Sequence, residues 1–168
     1  MPTLPPDPLI SASACETVLR SLPRWFGVEA ALQAYVDDTQ RLPTFSMHAG
    51  QDLVGFVTLR PHFTPSWEVH CLAVHADRRG QGLGTQLMQQ AERWAVAQGA
   101  RLMQVKTIAD THPSPEYAQT RAFYAARGYL PLEVFPTLWS PQHPVLQLVK
   151  VLPLSPPASP SAAAAQRR

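Results

Sequence analysis

The sequence predicts a mixed α/β fold: a mostly antiparallel sheet that contains one central parallel pair and carries flanking helices. Three observations point there. Short apolar extended runs recur along the chain, amphipathic stretches at helical spacing separate the later ones, and Gly or Pro marks most boundaries. A strand, a helix and another strand in succession form a crossover that lays its two strands side by side in parallel.

The elements follow in order. Ser13-Ala-Cys-Glu16 has the form of a capping box and predicts a short helix over Cys15–Leu22, stopped by Pro23. A second helix over Val28–Val36 places Val28, Ala31, Leu32, Tyr35 and Val36 on one face. Thr44–His48 and Leu53–Arg60 flank the turn-rich tetrad Ala49-Gly-Gln-Asp52 and predict a hairpin. Glu68–Val74 is a third strand. Its alternation predicts Glu68, His70 and Leu72 on one face and Val69, Cys71 and Ala73 on the other. After a glycine-rich segment, a helix runs to Gln98, with Leu87, Met88, Ala91, Trp94 and Ala95 in register and Gly99 as its stop. Leu102–Ile108 reads as a buried strand. Ser114-Pro-Glu116 then supplies an N-cap, a first-turn proline and an acid at the positive helix end, for a helix reaching Arg127. Tyr129–Phe135 and Val145–Val151 complete the order αα-ββ-β-α-β-α-β-β.

The 168 residues suit one domain over 9–152, between proline-rich tails at 1–8 and 153–168 that are expected to be disordered. A net charge of +2 gives no bulk attraction to nucleic acid or to a membrane surface. No signal-like start and no run of membrane length are visible, so the expectation is a cytoplasmic protein. Cys15 and Cys71 stand alone, without CxxC or histidine spacing, and read as small buried thiols; no metal is expected.

The chemistry concentrates at residues 79–84, R-G-Q-G-L-G, where a strand hands over to a helix. Such a turn is an anion site, because unpaired backbone N–H groups converge there and the helix dipole favours negative charge. Glycines let a ligand approach the backbone, and Arg78 and Arg79 add positive charge at the rim. A diphosphate is the natural guest. The chain has no Gly-Lys pair for a P-loop. A dinucleotide fingerprint fails as well, because Thr85 or Leu87 stands where its third glycine belongs.

The spacing present, Arg79-x-x-Gly82-x-Gly84, resembles the Q/R-x-x-G-x-G/A signature of the GNAT-type N-acetyltransferases. The resemblance extends from about Leu42 to Leu152. A-V-H-A-D-R-R-G-Q-G-L-G-T-Q-L-M is similar to the family's strand–loop–helix, and Tyr124 with Gly128-Tyr129 fills its later Y-x-x-x-G-F pattern. The resemblance implies the GNAT fold, with the strands Glu68–Val74 and Leu102–Ile108 splayed apart. It implies acetyl-CoA as co-substrate, its arm along the backbone of Leu72, Ala73 and Val74. Its pyrophosphate would lie on Arg79, Gly80, Gln81, Gly82, Leu83, Gly84 and Thr85.

By the same resemblance Tyr124 is the acid that protonates the departing thiolate. A phenol of pKa about 10 suits a thiol of about 8.5. Glu68 is the candidate base that relieves the acceptor ammonium of its proton, with His70 second on the same strand. One departure is visible: Tyr117 occupies the place where many members carry an Asn on the coenzyme arm. Thr120 and Arg121 are further candidates to reach the coenzyme.

The acceptor is expected to be an amine of a small molecule or peptide. Trp25, Phe26, Tyr35, Phe45, His62, Phe63, Trp67, Trp139 and His143 fall in the segments that set acceptor choice in this fold, and suit a flat or apolar amine better than a polycation. Asp37-Asp38 is the only adjacent acidic pair. A non-catalytic acyl-CoA-binding module is the alternative function. The chain is expected to be a monomer or homodimer, with Pro141 and Pro144 discouraging a long exposed edge.

Overall fold

The computed structural model describes residues 3–154, so the tail expectations for residues 1–2 and 155–168 lie outside the described residues. Four helices and six strands follow the anticipated order. Helices α1 (Ala12–Arg20) and α2 (Glu29–Thr39) lead into strands β1 (Thr44–Ala49), β2 (Asp52–Phe63) and β3 (Ser66–Val74). Then come α3 (Leu83–Ala97), β4 (Leu102–Ile108), α4 (Pro115–Ala125), β5 (Leu130–Ser140) and β6 (His143–Val151). The sheet order is β1-β2-β3-β4-β6-β5, with β3–β4 as its parallel pair and the other neighbours antiparallel.

Two cores sandwich this sheet. On one face α3 contributes Leu87, Met88, Ala91 and Ala95 to a cluster with Phe45, Val57, Trp67, Val69, Met103 and Val105. On the other, α1 and α2 bury Cys15, Val18, Leu19, Leu32 and Val36 against Phe56, Cys71 and Ala73. Both cysteines are free and buried, as expected. The first helix starts at Ala12 rather than Cys15 and ends at Arg20 rather than Leu22, and its N-cap lies two residues before the capping-box serine. Ser11, not Ser13, is the N-cap, because its hydroxyl accepts from the Ala14 amide at 3.3 Å. Val28 precedes α2 as its N-cap and is exposed rather than on the buried face. Ser114 and Pro115 open α4 as predicted, with the Ser114 hydroxyl accepting from the Tyr117 amide.

The last two strands are longer than the proline argument allowed. β6 runs through Pro144, whose carbonyl accepts from the Ala109 amide at 2.9 Å. One sheet edge is β5, an 11-residue strand that carries Pro131 and Pro136, and β1 is the other. Prolines on an edge strand deny a neighbouring chain part of the hydrogen-bond ladder.

Glu92 clamps α3 to β6. It accepts from the Tyr129 hydroxyl at 2.9 Å and from Lys150 Nζ at 2.6 Å. Glu92→Ala strands the Tyr129 hydroxyl on a residue that is 1% exposed. The expected cost is about 1–3 kcal/mol, seen as a lower denaturation midpoint. An unchanged midpoint contradicts the clamp.

Two features of β3 position everything that follows. Its parallel pairing with β4 covers only Ser66–Val69 against Leu102–Val105, and past that point the strands part. Its register against β2 also slips: Thr58 faces Cys71 and Leu59 faces Val69, so His70 is the extra residue of a bulge. The bulge overturns the strict alternation read from sequence. Val69 stays on the α3 side and Leu72 and Val74 join it, while His70, Cys71 and Ala73 turn toward α1 and α2.

Candidate active site

Beyond the parting of β3 and β4 the structure opens into a cleft of about 1000 Å³. Its floor is the backbone of Val69–Val74 and Val105–Ile108, one end is the Gly80–Thr85 turn, and the Trp25–Ala31 region and α4 close the sides.

The turn is built as the sequence suggested. Gly80 and Gly82 hold φ of +75° and +79°, and Gly82 is the N-cap of α3. A Cβ at either would meet nothing within 4 Å, so the space above the turn is free. From Gly80 through Thr85 no backbone amide has a hydrogen-bond partner among the described residues; the next amide, that of Gln86, donates to the Gly82 carbonyl. Gly84 has a different task. A Cβ there would come within 3.2 Å of Phe123, so its bare backbone lets α3 and α4 approach.

Other predicted residues sit less simply. Gln81 is exposed and does not line the cleft, whereas Arg79, Gly80, Gly82, Leu83, Gly84 and Thr85 do. Leu72, Ala73 and Val74 line the floor. The Arg79 guanidinium lies 4.4 Å from the Trp25 ring centre, a cation–π contact. Tyr117, in the place of the family's usual Asn, donates from its hydroxyl to the Trp25 carbonyl at 3.2 Å, and Trp25 Nε1 donates to Thr120 Oγ1 at 3.0 Å. Tyr117 and Thr120 thus latch the α1–α2 loop onto α4 at the cleft wall. Arg121 is a correction: its Nη1 donates to the Ile108 carbonyl at 2.9 Å, and it does not line the cleft.

Tyr124 lines the cleft though only 4% exposed. Its hydroxyl has no hydrogen-bond partner among the described residues, and burial pushes the phenol above its ordinary pKa, so it stays protonated. Glu68 does not line the cleft. Its Oε2 lies 2.5 Å from His62 Nε2 and 3.2 Å from Lys106 Nζ. His70, by contrast, does line it. Asp38 Oδ2 lies 2.7 Å from His70 Nε2 and 2.9 Å from Arg60 Nη2, and Arg41 holds the other carboxylate oxygen at 2.6 Å.

Three buried side-chain polar atoms among the described residues lack a partner: Thr107 Oγ1, His112 Nδ1 and Arg127 Nε. All three belong to residues that line the cleft. Buried polar groups are nearly always satisfied, so three orphans around one cavity fit a polar guest there. Sequence reading missed all three. Arg127 could have been suspected from its place beside Gly128, since it reaches Thr85 Oγ1 at the first turn of α3 and donates to the Phe123 carbonyl at 2.5 Å.

Among the described residues the sheet splits at its one parallel pair, with an open amide cradle at the split's mouth, and this defines a mixed α/β class of fold. Residues 15–129 match the model of the acetyltransferase (GNAT) family, and the chain belongs to that family. Solved structures agree on the fold. A GNAT-family protein from Desulfovibrio desulfuricans superposes with a TM-score of 0.71 at 19% identity, over 83% of this chain and 91% of that one. An aminoglycoside 6'-N-acetyltransferase complexed with coenzyme A gives 0.69 at 19%, over 86% and 92%. The ribosomal-protein-S18-alanine N-acetyltransferase from Escherichia coli gives 0.69 at 14%, over 90% and 95%. No curated protein sequence matches the chain. No described helix is long and apolar enough to cross a membrane, and no described cluster of His, Cys, Asp or Glu would hold a metal ion.

Proposed function

We propose that this chain is an acetyl-CoA-dependent N-acetyltransferase acting on an amine with a neutral, flat or apolar body. The observation that carries the reading is the row of unpartnered amides from Gly80 to Thr85, opening into the cleft where β3 and β4 part. When bound there, acetyl-CoA supplies an activated carbonyl. Gly80, Gly82, Leu83, Gly84 and Thr85 would take the pyrophosphate on their N–H groups, with the α3 dipole behind them. Arg79, Arg127 and Arg78 add positive charge on the same side. The parted backbone of Leu72, Ala73 and Val74 offers hydrogen bonds along the arm, and Tyr124 donates its proton to the leaving sulfur.

The acceptor reading rests on what lines the cleft. No Asp or Glu is among its lining residues, while Arg24, Arg78, Arg79, Lys106 and Arg127 are. A polycation would meet like charge there and find no carboxylate to pair with. Phe26, Tyr35 and Trp139 instead present aromatic surface to the amine's body.

A thermal-shift measurement with acetyl-CoA, coenzyme A and ATP tests the first half, and only the two coenzyme forms are expected to raise the melting temperature. A panel of aromatic, aliphatic and polycationic amines, read through free-thiol release, tests the second. Protection by ATP alone would overturn the coenzyme assignment. Tight coenzyme binding without transfer to any amine would leave a binding module in place of an enzyme.

A further inference from the structure

We infer that His70 is the general base for the acceptor amine, its imidazole positioned by Asp38 and Arg60 so that Nδ1 carries a free lone pair at the point where β3 and β4 part. The inference rests on the acetyl-transfer reading and names the proton acceptor within it.

The bulge makes this placement. β3 and β4 are paired through Val69 and Val105, and His70 is the next residue, left without an opposite number on β2. It therefore stands at the base of the split, lining the cleft, with 12% of its side-chain surface exposed. A regular strand would have carried the side chain along with its neighbours in simple alternation. The extra residue instead turns it against α2, where Asp38 and Tyr35 meet it.

The hydrogen bonds then fix which nitrogen holds the proton. Burial tends to raise the Asp38 carboxyl, but bonds from His70 and Arg41 and the charge of Arg60 outweigh it and hold Asp38 below its usual range. Asp38 is therefore a carboxylate and can only accept. His70 Nε2, at 2.7 Å, must donate to it. Arg60 also donates to Asp38 and lies 3.2 Å from the same nitrogen. Arg60 can only donate, so its contact with Nε2 opposes this arrangement. The shorter bond to the Asp38 carboxylate prevails and leaves Nδ1 unprotonated while the ring is neutral; Nδ1 has no partner among the described residues. Burial lowers the His70 pKa, and the Arg60 charge adds to it; the Asp38 bond opposes. The charged and titratable groups facing the ring are Asp38 and Tyr35 from α2, Arg60 from β2 and Glu68 from its own strand, with Lys106 of β4 on Glu68.

Glu68 is less well placed for the same work, because His62 and Lys106 engage its carboxyl group and it does not line the cleft. The proton balance closes through His70. Nδ1 takes one proton from the acceptor ammonium, and the freed nitrogen lone pair forms the new C–N bond as the thioester C–S bond breaks. The departing sulfur receives a proton from Tyr124, which regains one from the acylated nitrogen. The imidazolium returns its proton to water.

Two measurements test this. Long-range ¹H–¹⁵N spectra of the full chain read the His70 tautomer without any acceptor. The expected result is a neutral ring at pH 7 with the proton on Nε2, and a mixed tautomer in Asp38→Asn. A proton on Nδ1, or an imidazolium at pH 7, overturns the proposal. The second is turnover of acetyl-CoA with 2-phenylethylamine as probe. His70→Gln should lose about 10²–10⁴-fold in kcat. It should also lose an acid limb with a midpoint below about 6.5, so that the remaining rate climbs toward the amine's own pKa of about 10. Retention of that limb, or of kcat within about threefold, overturns it too. Calorimetry with coenzyme A separates the two readings. Unchanged affinity in His70→Gln is expected, whereas failure of the wild-type chain to bind coenzyme A refutes the acetyltransferase reading and leaves the tautomer to decide His70 alone.

Discussion

Gly82→Trp is expected to lose coenzyme A binding by at least about 100-fold, equivalent to about 2.7 kcal/mol, in a protein that still folds. Two physical effects separate at this position. Gly82 holds φ of +79°, where an L-residue costs roughly 1–2 kcal/mol in strain. That cost acts on stability. The second effect acts on the ligand: a Cβ at Gly82 points into open space, so an indole would fill the cradle rather than clash with the protein. Gly82→Asn is the matched control, because Asn tolerates the left-handed region and its side chain is short. It should bind far better than the tryptophan variant at a similar melting temperature. Gly84 is the wrong place for this experiment, since a side chain there strikes Phe123 and confuses folding with binding. Calorimetry on both Gly82 variants is the measurement, and equal affinities would place the phosphates elsewhere.

Tyr124→Phe carries the second large effect. We expect kcat to fall by about 10²–10⁴-fold while coenzyme affinity stays within about twofold. The structure predicts an unusual companion result. The Tyr124 hydroxyl has no partner to lose among the described residues, so its removal leaves no stranded group there and the melting temperature should hold or rise slightly. A purely structural tyrosine would show the reverse pattern, with stability falling and kcat intact. Burial raises the Tyr124 pKa, so the phenol keeps its proton throughout the neutral range. Steady-state kinetics and a melting curve on one pair of proteins decide between the two patterns.

The parts of this site that were legible in the sequence are those whose cause is local. The R-G-Q-G-L-G segment forms an open turn because glycines at 80 and 82 adopt positive φ and the first turn of α3 has no internal acceptors for its amides. Ser114 and Pro115 open α4 for reasons contained in three adjacent residues. Strand β4 matches its apolar run residue for residue. These features need no knowledge of what lies across the sheet.

The rest required the packed chain. Period-2 reasoning grouped Leu72 with Glu68 and His70, and a single extra residue at His70 moved it to the opposite face. Asp38 stood out in the sequence only as half of an adjacent acidic pair, yet it meets a histidine 32 positions away because α2 packs over the bulged strand. Glu68 read as the candidate base, but His62 and Lys106 converge on it from β2 and β4. Tyr117 looked like a lost contact, and it ties down the Trp25 loop instead. The orphaned atoms of Thr107, His112 and Arg127 are visible only once a cavity exists around them. Turn and cap geometry follow from backbone sterics and hydrogen bonds within a few residues, so a linear chain already contains them. Which side chains face each other across a cleft depends on register and on helix docking. Those are settled by the burial of two apolar cores at once, a condition no short stretch of sequence states.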